Sequence, residues 1–401
     1  MSLAQDRNAL PENAIAAVTH RDPYPYYADL VANAPLYRDD QLGLWVASSA
    51  QAVTAVLTSA ACRVRPLNEP VPKAILGSPA AEIFRHLVHM NDGPGHCPFS
   101  KAIAAVLASV EPNQVIARSR LHAQALTDEL TPISDSTGLT EFTFRLSAYV
   151  IGSLLGVPQD KLNQTAQWVG EFVRCVFPAS TPAQIEQGKI AAGHLLELFR
   201  DLYQSEASCA HDGLLAALVR EGERVGRTAA DVIIANGIGL LSQAYEATAG
   251  LIGNSLLALA ARPELRSQVA VDIARAREVV LEVLRYDPPT HNTRRFLARD
   301  SMLAGQEMKA GDAILVVLAA ANRDPAANPE PQRFDVLRKD RRLYTFGAGV
   351  HACAGDTFAV TIAQLAVLHL IEAGLDFDRL TVMTYRPSAN VRIPVFREPG
   401  A

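Results

Sequence analysis

Residues 346–355 read Phe-Gly-Ala-Gly-Val-His-Ala-Cys-Ala-Gly and stand directly before a helical segment at 357–373. Glycine lets a backbone turn tightly and lets it approach a flat ligand closely. A cysteine just upstream of a helix start has backbone amides and the helix dipole beside it, and both stabilise a thiolate, the form that binds iron. Taken alone, a cysteine is more often inert packing than a ligand, so the weight falls on the sequence around Cys353.

Outward from this loop, most of the chain has helical periodicity. Apolar residues recur at three- and four-residue spacing over 100–110, 116–130, 141–156, 184–204, 230–260, 265–286 and 357–373, whereas strand-like pieces are confined to 35–47, 294–304, 312–318 and 391–396. The stretch 230–261 would reach about 45 Å at roughly 1.5 Å per residue if continuous, enough to cross a domain. As a membrane span it would carry Asn236, Gln243, Glu246 and Asn254 into lipid at high cost, so a buried central helix is the better reading. No Gly/Ser linker, low-complexity tract or repeat interrupts residues 1–401, which are treated as a single domain. The expected fold class is mainly α with smaller β-sheets.

The 401 residues are 49% hydrophobic and 20% charged, so a large core can form without help from disulfides. A formal charge of −5 gives no general attraction for nucleic acid or anionic membranes. Cys62, Cys97, Cys175, Cys209 and Cys353 are odd in number, widely spaced and without a C-x-x-C pair, which argues against a disulfide framework or structural zinc. The opening residues have no apolar run of signal-peptide or anchor type. A cytoplasmic protein with no nucleic-acid or membrane partner is expected.

The pattern F-G-x-G-x-H-x-C-x-G of residues 346–355 resembles the haem-ligand signature of the cytochrome P450 family at every defining position. Glu282-Val283-Leu284-Arg285 is similar to the family's E-x-x-R, and Arg333 in Pro331-Gln332-Arg333-Phe334 to the arginine of its companion motif. Ala321-Asn322-Arg323-Asp324-Pro325, Arg21-Asp22-Pro23-Tyr24-Pro25-Tyr26-Tyr27 and Tyr385–Arg392 look like the soluble bacterial members. The resemblance implies the P450 fold, with haem b (iron protoporphyrin IX) buried between the long central helix and the cysteine loop. It also implies Cys353 as metal ligand, Phe346 and Gly347 as cofactor-binding loop residues, and a buried triad of Glu282, Arg285 and Arg333.

Haem carries two carboxylates that an apolar pocket must neutralise. By resemblance this falls to Arg295, with Arg294 as the alternative, to His351 and to His96. The family pattern H-x-x-x-R is broken here, because Ser100 follows His96 where arginine is usual, and Lys101 is a helix step of about 100° away. On the central helix the resemblance aligns Glu246 with the proton-guiding acid and Ala247 with the usual threonine. Thr248 is one residue late and should point away, and Gln243 replaces a small residue one turn earlier, where its amide is a candidate to relay protons.

The activity implied is a monooxygenase that inserts one oxygen atom from dioxygen into a small organic substrate, such as a hydroxylase of specialised metabolism. Atypical haem-thiolate chemistry (peroxide-driven, desaturating or coupling) and a non-catalytic haem sensor are the alternatives. Two electrons from NAD(P)H must arrive through a redox partner, either ferredoxin with ferredoxin reductase or flavodoxin. The basic run Arg338, Lys339, Arg341 and Arg342 is the expected docking charge. By resemblance the substrate-contacting stretches map to 62–92, 167–180, Thr290–Asn292 and Val391–Ile393, and Tyr245, His291 and Asn292 hint at a polar group on the substrate.

Overall fold

The computed structural model describes residues 10–93, 96–177, 179–208, 213–226, 229–380 and 382–396, without the side chains of 96–97, 206–208 and 382–383. Helix α1 (Tyr24–Asn33) leads into a hairpin of β1 (Leu36–Asp39) and β2 (Leu44–Ala47). Then follow α2 (Ala50–Thr58), β3 (Cys62–Arg63), α3 (Pro79–His86), α4 (His96–Ser109), α5 (Pro112–Leu130) and α6 (Ser136–Leu154). Next come α7 (Leu162–Cys175), α8 (Pro182–Ser208), α9 (Leu214–Arg224) and the long α10 (Ala230–Ala260). The chain continues through α11 (Pro263–Val271), α12 (Ile273–Tyr286), β4 (Thr293–Leu297), β5 (Ser301–Leu303), β6 (Gln306–Met308) and β7 (Ala313–Val316). It ends with α13 (Leu318–Asn322), α14 (Asp356–Glu372), β8 (Val382–Tyr385) and β9 (Pro394–Phe396). The mainly-α architecture is the expected one.

Local chemistry sets several boundaries. Ser49 and Asp135 cap α2 and α6 by accepting the free amides of Ala52, and of Thr137 and Gly138. Pro112 opens α5, where a missing N–H costs nothing. The stretch expected as one helix over 265–286 is two. Asp272, extended at φ −135°, accepts from the Ala274 amide and starts α12 afresh.

Helix α10 is the axis of the molecule, packed against α3, α6, α7, α8, α12 and α14. Ile233, Ile238, Leu241, Ile252 and Leu256 bury its apolar surface completely or nearly so. Where the β8–β9 hairpin crosses it, a Cβ at Gly250 would lie 2.7 Å from the Arg392 carbonyl, so only glycine allows that approach. Among the described residues no helix is long and apolar enough to cross a membrane.

The sheets stand to one side. The larger has the order β1-β2-β7-β4-β3, with β2 and β7 parallel and the other pairs antiparallel. Burial along β4 alternates, putting Arg295 inside and leaving Arg294 half-buried on the other face. The pairs β5–β6 and β8–β9 form separate two-stranded sheets.

Candidate active site

The cysteine loop is closed by its own backbone. The Cys353 amide donates to the Phe346 carbonyl at 2.8 Å and the Gly347 amide to the Tyr344 carbonyl at 2.8 Å. Gly347 and Gly349 take φ of +69° and +71°, and a Cβ at Gly349 would meet the Leu57 carbonyl at 3.0 Å, so side chains are excluded there for both reasons. Gly355 stands at the N-cap of α14, and its amide faces the Cys353 sulfur. Among the described cysteines Cys62 and Cys175 are buried and Cys353 is exposed. Burial pushes the Cys175 thiol up to about 11, leaving it unreactive at neutral pH. Protein packed on the flanks of Cys353 also raises its thiol, and the Gly355 amide offsets part of that rise.

Beside this loop lies a charged cluster. Arg295 is 6% exposed, and its guanidinium donates to neutral acceptors, the Arg294 carbonyl at 2.8 Å and the Thr293 hydroxyl at 3.3 Å. Burial lowers its pKa, against the fields of Cys62 and Asp92. The ring of His351 meets Asp92 at 3.1 Å through Nε2. Burial raises the Asp92 carboxyl, but His351 and the Val64 amide outweigh it and hold the group below the usual range. Asp92, at the end of the 62–92 stretch, is thus joined to His351, a contact that the sequence did not signal. No carboxylate pairs directly with Arg295 among the described residues, so this buried cation fits a ligand that brings its own carboxylates, as haem does. The side chain of His96 lies outside the described residues; Ser100 is half-buried and Lys101 exposed.

On α10 burial is interrupted at mid-helix. Gln243 is exposed and Ala244 and Ala247 are half-exposed, while Glu246 and Thr248 are buried. Gln243 and Ala247, one turn apart, therefore border open space, and Thr248 packs into the core as its offset implies. The Gln243 amide donates back to the Gly239 carbonyl at 3.1 Å. Glu246 instead meets Arg386, at the end of β8, with Oε1 3.4 Å from the guanidinium. Burial raises the Glu246 carboxyl, and Arg386 and the more distant Arg174 pull it partly back.

Some expected roles move. Tyr245, His291 and Asn292 are internal. The Tyr245 ring leans on Phe144, and a Cβ at Gly170 would lie 2.7 Å from its hydroxyl. His291 is fully buried with Nδ1 on the Tyr27 hydroxyl at 2.9 Å, and Asn292 donates to the Ala389 carbonyl. In the Glu282 cluster, Arg285 donates at 2.6 and 3.0 Å as expected, but the third member is Arg341, at 2.9 Å. The Arg333 side chain is 63% exposed, and only its backbone carbonyl takes part, accepting from Arg285. With Arg341 and Arg338 turned toward Glu282, the basic run keeps only Lys339 and Arg342 exposed.

The cytochrome P450 family model matches residues 186–373. The vitamin D(3) 25-hydroxylase of Pseudonocardia autotrophica is 30% identical over 311 residues, covering 75% of this chain and 74% of that protein. The 6-deoxyerythronolide B hydroxylase of Saccharopolyspora erythraea is 28% identical, covering 90% and 92%. In fold, the chain is similar to P450BioI in complex with acyl carrier protein, with a TM-score of 0.81 at 23% identity over 93% of this chain and 97% of that one. The fold, the cysteine loop and these relatives together show that the chain belongs to the cytochrome P450 family, and that it is a haem-thiolate monooxygenase.

Proposed function

We propose that Cys353 would give a thiolate ligand to haem b, that Arg295, His351 and His96 would hold its propionates, and that Glu246 would supply protons for hydroxylation of a small apolar molecule. The observation that carries this reading is the cluster two residues from Cys353, in which a buried guanidinium, with no directly paired carboxylate among the described residues, lies near the Asp92–His351 contact. When bound, haem would supply the oxygen chemistry of a monooxygenase, with Cys353 as its thiolate ligand.

The chain's own residues position and protonate. Phe346 and Gly347 shape the loop, and the Gly355 amide at the head of α14 favours the thiolate form of Cys353. Glu246, with its raised pKa, stays closer to the point where it can both take up and release a proton near neutral pH. Ala247 brings no hydroxyl and Thr248 faces the core, so the missing group comes from a water or from a hydroxyl on the substrate. Relatives named for action on vitamin D(3) and 6-deoxyerythronolide B favour an apolar substrate that carries such a group. Electrons come from NAD(P)H through ferredoxin reductase and ferredoxin, or through a flavodoxin, in the cytoplasm. Lys339, Arg342 and Arg333 are the exposed cations available to the donor.

The test couples the haem-loaded protein to a surrogate ferredoxin and reductase and screens apolar alcohols by spectral shift, then by product. Glu246→Gln is expected to lower product per NADPH consumed by roughly tenfold or more, the scale of one acid–base group, with substrate affinity unchanged. Equal coupling in Glu246→Gln would remove the acid from the mechanism.

A further inference from the structure

Among the described residues five arginines are buried: Arg65, Arg285, Arg295, Arg323 and Arg392. Arg285 and Arg392 rest against Glu282 and Asp287, and Arg65 and Arg295 share the field of Asp92. Arg323 has no carboxylate partner among the described residues. It is 5% exposed, donates to the Tyr286 carbonyl at 2.8 Å and the Gln332 side chain at 2.5 Å, and is sandwiched between the rings of Tyr24 and Tyr286, 3.7 and 3.6 Å from their centroids. Stacking and neutral acceptors ease the burial of that charge without neutralising it. Arg295 has the same character, and the haem propionates account for it. Nothing in the monooxygenase site accounts for Arg323.

Arg323 lines a cleft of about 490 Å³ between residues 21–25, the C-terminal end of α10 and the end of α12. That size falls in the range of small-molecule sites. No residue assigned above to haem or proton delivery lines it. Arg21 and Arg262 stand in the same wall and also lack a carboxylate partner among the described residues. Arg262 stacks on Phe334 at 4.0 Å and lies 5.6 Å from the Tyr286 centroid, so it shares that ring with Arg323. Against these three cations the wall offers one acid without a cationic partner among the described residues, Asp22, because Asp287 is held by Arg392 at 3.1 Å. The wall also contains Asn254, which donates to the Asp287 carbonyl while its Oδ1 is buried with no partner among the described residues.

We propose that this cleft binds a small phosphate monoester, its phosphate against Arg262 and Arg323 and its organic part against Leu257, Ala258 and Tyr385. Two guanidinium groups fixed by stacking are suited to phosphate oxygens, because their planar donors are already oriented. A monoester in its hydrogen-phosphate form also carries a donor, which suits a wall that holds Asp22 and the Asn254 oxygen.

Isothermal titration of the haem-loaded protein at low ionic strength tests the site, with phenyl phosphate, inorganic phosphate and acetate as probes. Saturable one-to-one binding is expected for phenyl phosphate, weaker binding for inorganic phosphate, and none for acetate. Arg262→Glu, at a half-buried residue whose side chain hydrogen-bonds only to the Ala258 carbonyl among the described residues, should weaken phenyl phosphate at least about tenfold, the scale of one charge-assisted hydrogen bond. Arg21→Glu, at an exposed position, should weaken it in the same direction. Arg342→Glu makes an equal charge change at an exposed position outside the cleft and should leave binding within about twofold, as expected for a screened distant charge. The proposal is overturned by any of three results: no saturable binding of phenyl phosphate, acetate bound as tightly as the ester, or equal losses in Arg262→Glu and Arg342→Glu. Inorganic phosphate binding as tightly as the ester would overturn the assignment to a monoester.

Discussion

Among the described residues two glutamates are buried, with opposite surroundings. Glu282 is fully buried and receives two donors from Arg285, one from Arg341 and the Asp335 amide, all between 2.6 and 3.0 Å. Glu246 is 6% exposed and has one cation, Arg386, at 3.4 Å. A carboxylate with both oxygens engaged by four donors is fixed in place, and it ties α12 to the segment that leads into the cysteine loop. A buried carboxylate with one loose partner keeps a titration that burial has moved upward. The difference separates the residue that holds the loop in shape from the residue proposed above to supply protons.

Removing a partner from each cluster should give effects of very different size. Arg341→Ala leaves the Glu282 charge under-compensated in the interior and is expected to cost about 3–5 kcal/mol in denaturant unfolding, whereas Arg333→Ala should stay within about 0.5 kcal/mol. Equal losses in the two variants would break the comparison, because Arg333 would then share the buried charge after all.

Glu246 should reveal itself through pH. Its folded pKa is raised, so as pH increases the unfolded chain releases this proton first, and the native state loses stability between the unfolded and the folded pKa. Glu246→Gln removes that loss. Its melting temperature relative to the parent should therefore rise as pH climbs above the usual carboxyl range, and then level off. A difference that does not change with pH would show that Glu246 titrates normally.

The smallest effect is expected at Gln243. Its amide is engaged by the Gly239 carbonyl and Glu246 points to Arg386, so Gln243→Ala should leave product per NADPH within about twofold, a change of well under 1 kcal/mol. A clear loss of coupling, recovered by adding Ala247→Thr, would instead establish Gln243 as the relay.

Legibility in the sequence followed the strength of the local signal. The cysteine loop, α14 and α10 were readable because glycine positions and long apolar periodicity depend on few other residues. The break at Asp272 was not, since the apolar spacing runs on through it and only the capping side chain divides the helix. β3, at two residues, is too short for alternation to stand out. Motif spacing brought Arg333 to the Glu282 cluster but did not distinguish its carbonyl from its side chain, and the guanidinium that completes the cluster comes from Arg341. Polar residues within apolar surroundings are ambiguous in the same way. Tyr245 and His291 hint at substrate contact in sequence, and in the fold the Tyr245 ring packs beside Gly170 and His291 meets the Tyr27 hydroxyl.

The most direct measurement is the visible spectrum of the reduced protein with carbon monoxide, taken for the parent and for Cys353→His, with Cys62→Ser and Cys175→Ser as controls. The red-shifted Soret band of a thiolate-ligated complex should be present in the parent and both controls and absent in Cys353→His. A band that survives in Cys353→His would contradict the assignment of Cys353 as the iron ligand.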